Sequence, residues 1–355
     1  MTIDNFKQYI PLIECLKTTT IRYIIESVGV YDGLHYINKQ IIDYVDTYIK
    51  SVYDDVLVYN KTINIIIPED IFDSDEIFFT GCEIKIEMLL YNETLPLKRT
   101  KDLVSEYRDC DSYLTTVTNK NGKTTQKLTN GKFVFRISEM EMDWKDELST
   151  LIYHEFTHAY QDYNCLLSNQ NYKEGENYLF NKILYANAVQ SVDEIINNPD
   201  KYKNRGKGYE LIIDCANVIY TINKLELGAY IAQAYEEIRQ YVLKSKSKFT
   251  YEECLSNTTV YEHIVNLNQT LQTFKNATPD EISIIGCVVA ALKEVPDDKI
   301  TETKCNQEYK WIIIQIERAI NKVYSKLTRL LGDYLSKTNK VGLHGPLRPW
   351  ISYPY

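Results

Sequence analysis

The sequence contains few of the residues and motifs that mark several large classes of protein. Glycine occurs 13 times and proline nine times in 355 residues, which excludes collagen-like and low-complexity chains. The eight cysteines are scattered and form no CxxC pair, so they predict thiols in a reducing compartment rather than a disulfide framework. No apolar run approaches the roughly 20 residues that a membrane-spanning helix needs.

Positive charge is also in short supply. Lysine and arginine number 40 against 49 aspartates and glutamates, which gives a formal net charge of −9. Proteins that bind nucleic acids or anionic membranes carry basic surfaces, so we expect neither kind of partner. The first residues also lack the basic and apolar regions of a signal peptide. These features predict a cytoplasmic protein, or one released without a signal peptide, that acts on peptides, small molecules or other proteins.

The order of the hydrophobic patterns predicts an α+β fold that is mostly helical, with a small mixed sheet. We expect a helical cap over 1–60, a domain with the sheet and two functional helices over 61–250, and a helical region with an extended tail over 251–355. The predicted strands are 62–68, 76–80, 82–88 and 132–138, with a hairpin over 112–135 that turns at 119–123. The predicted helices lie within 5–55 and at 144–164, 178–196, 208–244, 259–276, 279–293 and 304–337.

One short segment indicates chemistry, because His154, Glu155 and His158 form an HExxH motif inside a predicted helix. The i, i+4 spacing places both imidazoles on one helix face, where two ring nitrogens can share a Zn²⁺ ion. Glu155 lies beside them on the helix and is placed to take a proton from water rather than to bind the metal. The alternative is an ordinary helix with two accidental histidines, which the preceding strand and the apolar side of this helix disfavour.

A catalytic zinc site needs a third protein ligand, which we expect to be a carboxylate on a later helix. The sixth residue after His158 is Asn164 rather than a histidine, and the remaining histidines lie in no matching context. Glu210 and Glu236 have polar helical neighbours, which predicts solvated faces. Glu226 has apolar neighbours, so its carboxylate needs a cation or a strong donor. An ordinary buried ion pair is the alternative explanation for Glu226.

Two further residues near these positions invite interpretation. Gly228 weakens a helix interior by about 1 kcal/mol, so it predicts that this helix approaches another backbone closely. Asp162, one turn after His158, is either a hydrogen-bond partner of a ligand imidazole or a solvated aspartate near the helix end.

These residues resemble the pattern of the gluzincin metallopeptidases, in which HExxH is followed by a metal-binding glutamate. The matching segments are His154-Glu155-Phe156-Thr157-His158 and Glu226-Leu227-Gly228-Ala229-Tyr230, and the likeness extends over about 130–240. The segment from His154 to Tyr163 is also similar to the active helix of anthrax-lethal-factor-type peptidases. The resemblance implies a zinc-dependent metallopeptidase with a zincin-like sheet, an active helix and a glutamate helix.

The resemblance also implies roles for individual residues. The implied Zn²⁺ ligands are His154, His158 and Glu226, and the implied general base and later proton donor is Glu155. Gluzincins use a tyrosine or a histidine to stabilise the oxyanion, and the candidates in this sequence include Tyr220 and Tyr230. The strand 132–138 is expected to be an edge strand to which an extended peptide substrate adds.

A second hypothesis is a structural or assembly protein on a zincin scaffold, whose peptidase activity is secondary or absent. The C-terminal helices and the proline-containing tail offer surface for a protein partner. Thirty tyrosines and frequent Ile, Asn and Lys indicate an AT-rich genome, such as that of a bacterium or a phage, which is compatible with a virion-associated protein or a host-directed effector. A third hypothesis, a DNA–protein-crosslink protease, is disfavoured because a third histidine ligand and a basic region are missing from the sequence.

Overall fold

The computed structural model describes residues 33–51, 61–72, 77–90, 105–108, 112–119, 121–138, 144–168, 207–244 and 251–338, and six residues between 184 and 194. These residues form an α+β structure that is mostly helical, which confirms the predicted fold class. The chain divides into two units, 1–152 and 153–355. The division into three regions stays a prediction.

The first unit contains a mixed sheet and a hairpin. Residues 33–51 form a helix, α1. The strands are β1 (Lys61–Ile67), β2 (Glu83–Leu90), β3 (Glu106–Arg108), β4 (Tyr113–Thr118), β5 (Thr124–Thr129) and β6 (Lys132–Ser138). Four of them form a sheet in the order β1-β2-β6-β3, in which β2 and β6 run parallel and the other neighbours antiparallel. Strands β4 and β5 pair separately as the predicted hairpin.

Alternating side chains on β2 and β6 place one face of the sheet in the core, as the two-residue period of a strand requires. The buried residues of this face include Ile84, Ile86, Met88, Phe133, Phe135 and Ile137. On the other face, Glu87 and Arg136 are paired in the register and form an ion pair of 2.8 Å. This face is therefore polar and partly exposed to solvent.

Two predictions for the sheet are wrong. The described residues 77–80 form no strand, and Phe79 makes only an isolated bridge to Leu128. Strand β6 is not an edge strand, because it pairs with β2 on one side and with β3 on the other. The sequence indicated a strand at β6 correctly, but strand neighbours depend on long-range pairing that a local pattern does not encode.

The second unit is helical, and its first helix contains the unit boundary. The helices are α2 (Trp144–Ser168), α3 (Lys207–Ile222), α4 (Lys224–Lys244), α5 (Tyr251–Ser256), α6 (Thr259–Lys275), α7 (Pro279–Leu292) and α8 (Glu302–Thr338). The apolar faces of α3 to α8 share one core, to which α3, α4, α6, α7 and α8 contribute Ile219, Ile231, Phe274, Val289 and Ile316. All of these helices except the short α5 were predicted.

A break at Asn223 divides the helix predicted over 208–244 into α3 and α4. The side-chain oxygen of Asn223 accepts a hydrogen bond from the Leu225 backbone N–H at 2.9 Å, and its carbonyl accepts one from Leu227 at 2.8 Å. Asn223 is thus the N-cap of α4, a position that asparagine favours. The prediction of one helix was wrong because apolar residues continue on both sides of the cap. As a result, Glu226 lies in the first turn of α4.

Some predictions lie outside the described residues. These are the first part of the N-terminal helical cap, most of the helix 178–196, and the tail 342–355; the described positions between 184 and 194 are helical. Within the described ranges, no helix has the length and apolar character needed to cross a bilayer. Six cysteines lie in these ranges, and none of them forms a disulfide there.

Candidate metal centre

Helix α2 carries His154 and His158 on one face, as their spacing requires. Their Nε2 atoms are 3.3 Å apart, and the ring planes are inclined by 74° with centroids 5.0 Å apart. Only 11% of the His154 side chain and 17% of the His158 side chain are exposed. The two imidazoles therefore point their Nε2 atoms at one small region that is largely removed from solvent.

Glu226, in the first turn of α4, faces both imidazoles. Its Oε1 lies 3.2 Å from His158 Nε2, and its Oε2 lies 3.5 Å from His154 Nε2. The carboxylate is 4% exposed, and Oε2 accepts no hydrogen bond from any residue that the structure describes. One ligand atom from each of the three residues lies within 4.8 Å of the others. The structure thus brings together the three ligands predicted from the sequence.

Two glutamines contact the other nitrogen of each imidazole. Gln233 Oε1 lies 3.1 Å from His154 Nδ1, and Gln161 Oε1 lies 3.1 Å from His158 Nδ1. Histidines that bind metals typically donate the second ring N–H to an oxygen in this way. Gln161 and Gln233 thus take the place that the sequence analysis considered for Asp162. Asp162 is 6% exposed, so the expectation of a solvated aspartate is wrong.

Sequence reasoning missed both glutamines, for different reasons. Gln161 follows His158 by three residues on the same helix face, which was a readable signal. Gln233 comes from α4, 79 positions away from His154. A glutamine in no motif, at that separation, gives no sequence signal.

The charges of the cluster favour a cation at its centre. Burial by itself lowers the pKa of His158, but the hydrogen bond and charge of Glu226, together with the charge of Glu155, raise it to about 9. Burial raises the pKa of Glu226, whereas the two imidazoles hold this pKa well below its usual range. The anionic Glu226 carboxylate thus lies against the His158 ring, which carries a proton. A metal ion can take the place of this proton as the positive charge beside Glu226.

The donor atoms and the unsatisfied oxygen fit a metal ion. Two imidazole nitrogens and one carboxylate oxygen form a set that suits first-row divalent metals, zinc included. A buried carboxylate oxygen without a hydrogen bond is costly unless a cation lies beside it. The residues that are present therefore fit the group that the HExxH motif predicts.

Glu155, the predicted general base, is buried next to the three ligands but is not one of them. It is 5% exposed, and its negative charge contributes to the raised pKa values of His158 and Tyr230. The Glu155 carboxylate thus influences both rings electrostatically, an effect that weakens with distance. Its place on α2 puts it beside the two histidines.

Tyr230, one of the two candidate oxyanion donors, contacts the metal-ligand cluster directly. Its ring lies 4.8 Å from that of His154 in an edge-to-face arrangement. Burial and the charge of Glu226 raise the pKa of Tyr230 to about 12, although a hydrogen bond with Tyr220 lowers it. The Tyr230 hydroxyl is therefore protonated at neutral pH and can act as a hydrogen-bond donor. Tyr220, the other candidate, touches Tyr230.

His263 is a neighbour of the site that the sequence analysis set aside. Its ring lies 4.3 Å from that of Tyr230, on the helix α6. Burial lowers its pKa, so it is neutral near pH 7. Tyr230 consequently lies against two imidazoles, one from the metal-ligand pair and one from α6.

The two carboxylates that were set aside as ligands have different surroundings. Glu210 is exposed, as expected. Glu236 is 0% exposed, so the prediction of a solvated face is wrong. Arg239 donates two hydrogen bonds of 2.6 Å to Glu236, and Gln240 donates one of 3.0 Å. The polar neighbours that suggested solvent are in fact the partners of a buried carboxylate.

Comparison of the chain with protein-family models, with curated proteins and with solved structures gives no match. The resemblance to gluzincins accordingly depends on the motif in α2 and the glutamate in α4.

Proposed function

We propose that this protein is a zinc-dependent metallopeptidase that hydrolyses peptide bonds. The observation that supports this most directly is the convergence of His154, His158 and Glu226, whose ligand atoms lie within 4.8 Å of one another. Two histidines and a glutamate are the protein ligands of one class of catalytic zinc sites, which leaves a further position for water or substrate.

When bound, a zinc ion would polarise a peptide carbonyl and lower the pKa of a coordinated water toward 7. Glu155 would accept a proton from the attacking water as the new C–O bond forms, and would then deliver it to the amine as the C–N bond breaks. Tyr230 keeps its proton because its pKa is about 12, so its hydroxyl would donate a hydrogen bond to the oxyanion.

Burial of the ligands supports catalysis as well as binding. The side chains of His154 and Glu226 are 11% and 4% exposed, so charges at the centre interact through a medium of low polarity. Fixed hydrogen-bond donors in such a site stabilise developing charge better than water does. The residues around the centre are thus arranged for proton transfer and for charge stabilisation.

The first experiment measures zinc content by elemental mass spectrometry in wild type, Glu226→Ala and Glu210→Ala. We expect about one zinc per wild-type chain. We expect the Glu226→Ala variant to lose most of it and Glu210→Ala, which alters an exposed carboxylate on α3, to keep it. Folded wild-type protein that takes up no zinc when offered it would overturn the proposed metal site.

The second experiment tests the reaction by incubating the zinc-loaded protein with a peptide library. We expect cleavage products that disappear after chelation and return when zinc is restored. A zinc-loaded protein that cleaves no member of a diverse library would overturn the peptidase assignment and favour an assembly role on the same scaffold.

A further inference from the structure

Gln233 lies between the proposed metal ligand His154 and two residues that hold the glutamine amide in one orientation. Its Oε1 is 3.1 Å from His154 Nδ1. Its Nε2 donates to Glu237 Oε1 at 2.9 Å and is 3.1 Å from Thr259 Oγ1. Gln233 is 8% exposed, so water does not compete freely for these contacts.

Glu237 is held in turn by the start of α6. The Thr259 backbone N–H donates to Glu237 Oε2 at 2.9 Å, and the Thr259 hydroxyl donates to Oε1 at 2.6 Å. Thr258, the N-cap residue of α6, contributes no side-chain capping bond among the described residues. Glu237 therefore satisfies a backbone donor at the α6 N-terminus, where a negative charge is also favourable.

These contacts determine which way round the Gln233 amide lies. Both oxygens of Glu237 already accept hydrogen bonds from Thr259, so the Gln233 amide presents its nitrogen and not its oxygen to Glu237. The oxygen then faces His154, and the Nδ1 atom of this ring must be the one that carries the proton. The lone pair of His154 Nε2 consequently points toward His158 and Glu226, where a metal ion needs it.

We propose that Gln233, oriented by Glu237 and Thr259, is a positioning residue that holds His154 in the tautomer that binds metal. This inference rests on the metal site of the proposed function but not on the peptidase reaction. The contacts His154–Gln233–Glu237–Thr259 form one hydrogen-bonded chain from the metal centre to the N-terminus of α6. The affinity of the site for metal thus depends on two residues, Glu237 and Thr259, that do not touch the metal.

The test compares the zinc affinity of the full chain in wild type, Gln233→Met and Gln240→Met by competition with a chromogenic chelator. Gln240 is a matched control, because it lies on α4, is also 8% exposed and bonds to Glu236 rather than to the metal ligands. We expect zinc binding to weaken about 10- to 100-fold in Gln233→Met and to stay within about twofold of wild type in Gln240→Met.

A second readout reports the tautomer directly. In zinc-loaded protein labelled with ¹⁵N-histidine, we expect a slowly exchanging Nδ1–H signal from His154 in wild type. The Gln233→Met variant should lose this protection, which a purely structural substitution would leave in place.

If circular dichroism shows that Gln233→Met does not fold, the Thr259→Val variant replaces it in the test of zinc affinity. It removes the hydroxyl that contacts both Gln233 and Glu237 and preserves the side-chain shape, so zinc binding should weaken severalfold. Zinc affinity equal to wild type in the folded variants would overturn the positioning role while leaving the metal site intact. Absence of zinc binding in folded wild type would overturn the metal site itself, and the positioning role with it.

Discussion

Gly228 lies so close to Gln161 that a methyl group on the glycine would come within 2.8 Å of the Gln161 side-chain nitrogen. That nitrogen donates to the Leu225 carbonyl at 2.9 Å, while the oxygen of the same amide contacts His158. We expected Gly228 to approach another backbone, but its neighbour in the structure is a side chain. The glycine makes room for the amide that orients a proposed metal ligand.

Replacing Gly228 with alanine should separate zinc affinity from stability. The added methyl group displaces the end of Gln161, so zinc binding should weaken about tenfold. The free energy of unfolding of the metal-free protein should change by less than about 1 kcal/mol, because the gain of about 1 kcal/mol from alanine in a helix interior offsets the lost hydrogen bond from Gln161 to Leu225. Chelator competition and urea unfolding measure the two quantities. Gly208→Ala, where no described atom lies within 4 Å of the added carbon, is the control.

Replacing Glu155 with glutamine should abolish turnover and leave the metal in place. The amide cannot take the proton of the attacking water, so kcat should fall by about 10²- to 10⁴-fold. Zinc content should remain near that of wild type, because Glu155 is not one of the three converging ligands. Peptide cleavage and elemental analysis of the same preparation test both parts. Loss of zinc from this variant would contradict the assigned role.

Replacing Tyr230 with phenylalanine should lower kcat by about 10²-fold, since it removes the proposed hydrogen-bond donor to the oxyanion. The ring contact with His154 is preserved, so zinc content should not change. Tyr220→Phe should have a smaller effect, because Tyr220 acts through its hydrogen bond with Tyr230. Peptidase kinetics on the zinc-loaded variants distinguish the two tyrosines, and a larger loss in Tyr220→Phe would reverse their roles.

The affinity for zinc should rise with pH up to about 9. Glu226 raises the pKa of His158 to about 9, so at neutral pH a proton must leave this ring before a metal binds. Displacement of one proton gives about a tenfold gain in affinity per pH unit, which levels off above the pKa. Competition titrations between about pH 7 and pH 10, corrected for protonation of the chelator, measure this slope. An affinity that does not change over this range would contradict a protonated His158.

In the metal-free protein, the free energy of unfolding should fall as the pH rises, whereas the affinity for zinc rises over the same range. The folded pKa of His158 is raised above its unfolded value of about 6.5, so its pairing with Glu226 is fully stabilising below that pH. This contribution is lost as the pH rises through about 9. The pKa of Glu226 is lowered, so its own contribution is lost only in acid. The unfolding temperature of the metal-free protein should therefore fall as the pH rises from about 6.5 to about 9. The zinc-loaded protein should not show this fall.

Replacing Asn223 with alanine should destabilise the start of α4 by about 1 kcal/mol, the usual cost of a lost N-cap. Zinc binding should weaken as well, because Glu226 lies in the first turn that Asn223 caps. Urea unfolding and chelator competition check the two effects. Asn217→Ala, at an exposed position of α3, should change neither quantity. An unchanged free energy of unfolding in Asn223→Ala would show that the cap is dispensable.

Local patterns predicted the parts of the structure that depend on neighbouring residues. The strand β6, the helix α2 and the hairpin β4–β5 follow from period, composition and turn residues. The Glu226 carboxylate is buried, as its apolar neighbours in the sequence predict, but that prediction assumes one helix over 208–244 in which Ile219 and Ile222 lie on the same side as Glu226. Those residues belong to α3, so the environment of Glu226 comes from packing and not from one helix face.

The positions of His154 and His158 on one helix face, with Glu155 beside them, follow from the order of the residues, because the helical period is a local property. Packing between helices brings Glu226 to both imidazoles, places Gln233 and Tyr230 against His154, and buries Glu236 with Arg239. These relationships join helices that are distant in sequence or depend on burial. They are set by how apolar faces pack and by the need to satisfy buried polar groups, neither of which a local period encodes.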